Sequence, residues 1–181
     1  VELISTEAIK TSEIEGEYLN RDSVQSSIRR HFGLKTDNRK IPPAENGMAE
    51  MMLSVYESFA EPLKHKTLYA WHEMLCSGRK DLKSIGDYRR HSEPMQVISG
   101  PLHKPIIHFE APPSARMKDE MKQFLLWFNQ SKDMPTLARA SIAHLYFVSI
   151  HPFEDGNGRI ARALTEKALA QALGYPSLIG L

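Results

Sequence analysis

Cysteine is nearly absent. Cys76 stands alone, which excludes an internal disulfide framework and suits a reducing compartment. Long apolar runs are also missing: no stretch approaches the roughly 18 residues that span a bilayer. The start of the chain lacks a signal-peptide pattern, so the sequence reads as that of a cytoplasmic protein without membrane contact. Excess charge of either sign is lacking too. The formal net charge is +1 and the basic residues are scattered, which argues against nucleic acid as a partner of this segment. There is no internal repeat and no low-complexity tract. What is present is ordinary for a globular protein: 41% apolar and 25% charged residues, in a chain of 181 residues that can bury one real core. Val1 is not an initiator methionine and the chain stops at Gly180-Leu181, so a longer native protein is expected.

The apolar pattern is mostly helical. Ile4, Ala8, Thr11, Ile14 and Tyr18 recur at three- and four-residue steps, which predicts a helix over Ser5–Glu17 with Gly16 near its end. Val24, Ile28 and Phe32 mark a second helix stopped by Gly33. Leu34–Asn46, with Pro42-Pro43, reads as a loop. Met48, Met52, Val55 and Phe59 give a third helix, and Leu68, Trp71 and Leu75 a fourth. The segment Ser84–Pro113 changes character: it carries five prolines and two β-prone runs, Gln96–Ile98 and Ile106–Phe109, around a turn-rich Ser99–Pro105. A β-hairpin is predicted there. Helix resumes after Pro112-Pro113, with Ser114 as its N-cap and Met117, Met121, Phe124, Leu125 and Phe128 on its apolar face. Thr136–Ile150 is apolar nearly all round, as a buried central helix would be. A last helix is predicted over Asn157–Leu173, ended by Gly174.

Between those two helices lies the most informative stretch, His151-Pro-Phe-Glu-Asp-Gly-Asn-Gly-Arg-Ile-Ala-Arg162. Gly156-Asn157-Gly158 lets backbone N–H groups converge without Cβ obstruction, and a helix N-terminus begins at the same point. Together they form an anion site. Arg159 and Arg162 share one helical face and carry the bidentate geometry that phosphate oxygens favour. Asp155, a lone carboxylate beside phosphates, suits Mg²⁺ with the substrate supplying further ligands. His151 is able to take a proton from an incoming hydroxyl near neutral pH. Pro152 bends the chain out of the helix, and Phe153 anchors the loop in the core.

His151-x-Phe153-x-Asp155-Gly156-Asn157-Gly158-Arg159-x-x-Arg162 resembles the signature of the Fic domain at every defined position. The resemblance implies an all-α fold, a Fic-type helical bundle with a small β-hairpin flap. The core would run over 47–181, joined in one compact unit by an N-terminal helical segment over 1–33. It also implies a protein adenylyltransferase that moves AMP from Mg·ATP to a Tyr, Thr or Ser hydroxyl of a target protein. His151 would be the base. Asp155 would hold Mg²⁺, and Gly156, Asn157 and Gly158 would cradle the phosphates. Arg159 would contact the β-phosphate and Arg162 the γ-phosphate. In that family the flap pairs with an extended target segment, which assigns target docking to Gln96, Val97, Ile98, Ile106, Ile107 and His108. Gly86-Asp87-Tyr88-Arg89 resembles the family's lead-in to the flap.

Thr11-x-x-x-Glu15-Gly16 resembles the family's inhibitory motif. It implies that Glu15 pairs with Arg162 and so blocks the γ-phosphate contact. The same resemblance leaves open the reverse reaction, removal of AMP in the same site, with the glutamate positioning a water. Two rivals come from other classes. One is a non-catalytic module that senses nucleotide in the cleft, against which intact His151 and Asp155 count. The other is a metal hydrolase: the chain has eight histidines, but His72-Glu73 lacks a second histidine at zincin spacing, and His144 and His151 have no evident third ligand. His65, His72 and His144 are read as core or helix-face residues. Apolar residues on the last helix or the flap would serve a homodimer, without the sequence identifying which.

Overall fold

The computed structural model of the chain describes residues 1–101 and 105–176. The hairpin turn's residues 102–104 and the end of the expected core, 177–181, lie outside the described residues. Among the described residues the order is α1 (Glu2–Ile14), α2 (Arg21–His31), α3 (Pro43–Ser58), α4 (His65–Leu75), β1 (Gln96–Ser99), β2 (Ile106–Glu110), α5 (Met117–Gln130), α6 (Thr136–Ile150) and α7 (Asn157–Leu173). The fold is helical with one small antiparallel hairpin, as the patterning predicted. No helix among the described residues is long and apolar enough to cross a membrane.

α6 and α7 pack antiparallel along most of their length, and α5 lies against α6. Phe124, Phe128, Phe147, Ile160 and Leu164 from these elements are fully buried, together with Phe153 of the loop between α6 and α7, Trp71 of α4 and Met48 and Leu53 of α3. α1 lies across α2, α3 and α7, burying Ile4, Ala8 and Ile9 while keeping Thr11 against α7. Buried cations join the helices. Arg139 of α6 donates to the carbonyls of Phe128 and Ala168 and lies over the Phe128 ring. Lys167 of α7 donates to the carbonyls of Ser58 and Phe59, satisfying the C-terminal end of α3.

Four local expectations need correction. α1 starts at Glu2 and stops at Ile14 rather than running over Ser5–Glu17, because Gly16 turns left-handed at φ 78° and the Glu17 N–H bonds back to the Ser12 carbonyl. That six-to-one bond is a Schellman close. α3 begins at Pro43, inside the stretch expected as loop, since a proline at the first helical position loses no needed donor. Ser114 does not cap α5. Its hydroxyl donates to the His91 carbonyl, and a single 3₁₀ turn, Ser114–Arg116, leads into the helix. α6 is not buried all round either: Leu137, Ile142 and Leu145 face outward.

The loop between α6 and α7 is pinned by one ring. Phe153 is fully buried, stacked on the His72 imidazole of α4 at 4.2 Å and 11°, with Tyr88 and Phe147 around it. Phe153→Ala is expected to lower the unfolding free energy by about 3–5 kcal/mol, read by urea denaturation. A loss of under about 1 kcal/mol, the scale of an ordinary surface change, would show that the ring does not hold the loop.

Candidate active site

α6 ends at Ile150 and is capped by His151, which adopts the left-handed conformation at φ 51°, ψ 60° and donates its N–H to the Phe147 carbonyl at 3.0 Å. Few non-glycine residues adopt this region, histidine among the more tolerant. The turn that follows is closed by Asn157. Its side-chain carbonyl accepts the Phe153 N–H at 3.0 Å, and its amide donates to the Phe153 carbonyl at 2.8 Å. The Asn157 side chain is therefore spent on the loop, which leaves only its backbone N–H for a phosphate. Gly156 then turns at φ 77° to start α7, whose first turn has no side-chain cap. Its orphan N–H groups and the positive end of the helix face the site.

Asp155 sits at that helix start. One carboxylate oxygen accepts the Gly156 N–H at 2.6 Å and lies 3.4 Å from Arg159, and the other accepts from Arg79 at 2.7 Å. Burial pushes this carboxyl up, but the Gly156 N–H and the two guanidiniums outweigh it and the net shift is downward. Asp155 is thus an anion at neutral pH with a partly exposed edge. Among the described residues there is no group of three or more His, Cys, Asp or Glu able to hold a metal alone. A lone carboxylate of this kind fits Mg²⁺ carried in by phosphates, since that ion keeps waters and substrate oxygens in its shell.

The two arginines of α7 are both engaged by the segment that ends α1. Arg162 donates from Nε to Thr11 Oγ1 at 2.6 Å, and from Nη2 to the Thr11 carbonyl at 2.9 Å and to Glu15 at 2.6 Å. Arg159, almost wholly buried, donates to Glu17 at 2.5 Å, while its Nε has no partner. The Schellman close at Gly16 explains why Glu15 and Glu17 both reach α7. A Cβ at Gly16 would meet nothing within 4 Å, so its left-handed φ is what favours glycine there. A Cβ at Gly158 would meet the Glu15 carboxylate at 2.1 Å, so that carboxylate lies directly on the glycine turn.

His151 is half-buried. Burial lowers its pKa below the ordinary 6.5, and Arg89 adds to the effect. The Val148 carbonyl, Asp155 and Glu15 oppose it without reversing it. The flap stands over this residue. β1 and β2 pair Gln96 with Glu110 and Ile98 with Ile107, with a bulge after Val97. A cavity of about 190 Å³ lies between flap and helix, lined by Met95, Gln96, Val97, Phe109, Ala111, Val148 and His151. Of the six flap positions singled out from sequence, Gln96 and Val97 line it, whereas Ile98, Ile106, Ile107 and His108 are exposed around the rest of the hairpin.

The structure therefore gathers His151, Asp155, Gly156, Asn157, Gly158, Arg159, Arg162, Thr11 and Glu15 in one place. Sequence reasoning missed Glu17, Arg79 and the tie from Arg89. A second acid two residues after Glu15, facing a second arginine three residues before Arg162, was the available signal for Glu17. Arg79 sits in a loop with no local pattern.

The Fic/DOC family profile matches residues 62–169, more than half of the chain. The chain belongs to the Fic/DOC family. A domain of unknown function, DUF4172, matches residues 1–34, the segment that carries Thr11, Glu15 and Glu17. The chain is 44% identical over 61 residues to the protein adenylyltransferase Fic of Drosophila mojavensis, a stretch covering 33% of this chain and 12% of that relative. The corresponding protein of Culex quinquefasciatus is 46% identical over 61 residues, with the same coverage. Among solved structures, a Fic family protein from Desulfovibrio desulfuricans G20 superposes with a TM-score of 0.62 at 27% identity, covering 93% of this chain and 48% of that one. A Fic domain containing signaling protein from Bacteroides thetaiotaomicron gives 0.71 at 21% identity, covering 96% and 64%, and supports the fold alone.

The lowered His151 pKa has a direct check. Titration followed by histidine NMR, with the signal assigned through His151→Ala, is expected to place its midpoint below 6.5, leaving a neutral ring at pH 7. A midpoint above 7 would contradict the burial argument.

Proposed function

We propose that this site transfers AMP from Mg·ATP to a Tyr, Thr or Ser hydroxyl of a target protein, and that the end of α1 holds it inhibited. One observation carries the reading. A base, a lone carboxylate, a glycine turn at a helix N-terminus and two arginines converge, and the carboxylate of Glu15 rests on that turn. Glu15 and Glu17 stand where anionic phosphates would go, each on a guanidinium.

In the proposed step the acceptor side chain enters the slot under the flap, where Gln96 and Val97 lie beside His151. Its oxygen forms a bond to the α-phosphorus. The bond from that phosphorus to the bridging oxygen breaks, and pyrophosphate leaves. The hydroxyl proton passes to the neutral His151 imidazole. Backbone N–H groups of Gly156, Asn157 and Gly158 cradle the phosphates, and Arg159 and Arg162 receive the β- and γ-phosphate charge. Bound at Asp155, Mg²⁺ would neutralise phosphate charge and polarise the reacting phosphoryl group. Positioning and fixed dipoles supply most of the acceleration.

Inhibition follows from occupancy. With Glu15 and Thr11 on Arg162, the γ-phosphate loses its guanidinium and the triphosphate cannot settle with its α-phosphate facing His151. Glu17 extends the block to Arg159. The segment over 1–33 is thus read as a regulatory piece laid on the core that follows.

Glu15→Gly is expected to raise covalent AMP incorporation from α-labelled ATP by about tenfold or more, the scale of one charge-assisted hydrogen bond. Equal labelling of both proteins would defeat the inhibitory role. In the Glu15→Gly protein, His151→Ala is expected to abolish labelling while ATP still binds by calorimetry. Undiminished transfer would remove the base assignment.

A further inference from the structure

Arg89 takes no part in the chemistry proposed above, yet its large charged side chain is 2% exposed. A buried guanidinium has to place its donors, and the acceptors of Arg89 fall on two structures. On the motif side, Nε donates to the His151 carbonyl at 2.7 Å and the Arg89 backbone N–H to the Pro152 carbonyl at 2.8 Å. On the flap side, Nη2 donates to the Pro112 carbonyl at 2.5 Å and Nη1 to Ser114 Oγ at 2.9 Å. Ser114 Oγ in turn donates to the His91 carbonyl at 2.5 Å. His91 precedes β1, and Pro112 and Ser114 follow β2, so both roots of the hairpin are joined through one side chain to the backbone of His151.

His151 needs such a tie. Its left-handed backbone takes one helical bond, from its own N–H, and nothing in α6 fixes its carbonyl. The guanidinium supplies that fixed point and lies between the residue and the flap that lines the same slot. We infer that Arg89 is a positioning residue: it locks His151 in its left-handed conformation and couples that conformation to the flap, so that the acceptor slot and the base stay in register. The inference rests on the reading of His151 as the base. In this reading Arg89 meets neither nucleotide nor acceptor and acts through the Ile150, His151 and Pro152 carbonyls and the flap roots.

The test uses the full chain carrying Glu15→Gly, with Arg89→Lys and Ser114→Ala added separately and folding checked by thermal unfolding. Lysine keeps the charge but not the fork. Ser114→Ala removes one partly buried hydroxyl and with it two flap-side hydrogen bonds, from Arg89 and to the His91 carbonyl, while leaving the motif-side contacts of Arg89 in place. Two readouts are taken: self-labelling from α-labelled ATP, and the His151 imidazole resonance without nucleotide. Arg89→Lys is expected to lower the maximal labelling rate by about 10- to 100-fold, the scale of a small misplacement of a reacting group. The half-saturating ATP concentration should change by less than about twofold, because no phosphate contact is touched. Ser114→Ala is expected to move the His151 resonance and lower the maximal rate severalfold. A folded Arg89→Lys protein with unchanged rate and unchanged resonance would overturn the inference. So would a Ser114→Ala protein whose His151 signal stays in place. If the parent incorporates no AMP, the proposed activity falls, and the resonance arm still decides whether Arg89 positions His151.

Discussion

Arg162 in the grip of Thr11 and Glu15 is the contact on which the rest of this structure turns. It is made between residues 151 positions apart at its Thr11 end, and it ties the last turn of α1 to α7. Its companion, Arg159 on Glu17, sits one helical turn away and shares the same acidic corner. Neither pair would form if α1 continued straight. The left-handed Gly16 ends the helix, the Glu17 N–H returns to Ser12, and both acids swing toward α7. Exposed ion pairs are worth little, but these guanidiniums are largely buried, and a buried guanidinium left without an anion is costly. In this structure Glu17 and Glu15 supply those anions, and under the proposed function the phosphates of a nucleotide would take their place. The proposed inhibition follows from that exchange.

The other half of the site is a turn made rigid from below. Asn157 closes the loop on Phe153, the Phe153 ring stacks on His72, and the Gly86 N–H donates to His72 Nδ1 at 3.0 Å. Burial pushes His72 down to about 4, so it stays a neutral acceptor that supports this loop through the physiological range. Two helices of the core thus carry a strained turn on a stacked aromatic base, and the N–H groups of α7 stay aimed outward. Arg89 reaches the same turn from the flap side. Sites that must hold charged groups to a fraction of an ångström need support of this kind beneath the residues that meet the ligand.

Much of this was legible in the sequence. α6 and α7 have the predicted bounds residue for residue, because their ends are written locally, in His151-Pro152 and in Gly156 and Gly174. The hairpin and α4 were readable as elements, with each strand running one residue past its β-prone run. The cluster around the motif was legible as a set of residue types, and the Glu15–Arg162 contact came from a resemblance rather than from periodicity. What the sequence did not yield is tertiary. Glu17 finds Arg159 only because a helix stops early, and Arg79 reaches Asp155 from a loop 76 residues upstream. Ser114 looked like a cap because its type and place suit one, yet a buried arginine and the His91 carbonyl outcompete the helix N–H groups for it. The outward Leu137 and Leu145 break the expectation of an all-buried α6, since an even apolar pattern does not say which faces find partners.

The most direct measurement is a crystal structure of the Glu15→Gly protein with Mg²⁺ and a non-hydrolysable ATP analogue. The triphosphate should lie along Gly156–Gly158, with Arg162 turned from Thr11 to the terminal phosphate. The α-phosphate should face His151 across the slot beneath the flap. Nucleotide seated away from that turn, or Arg162 still held by α1 with the analogue bound, would contradict it.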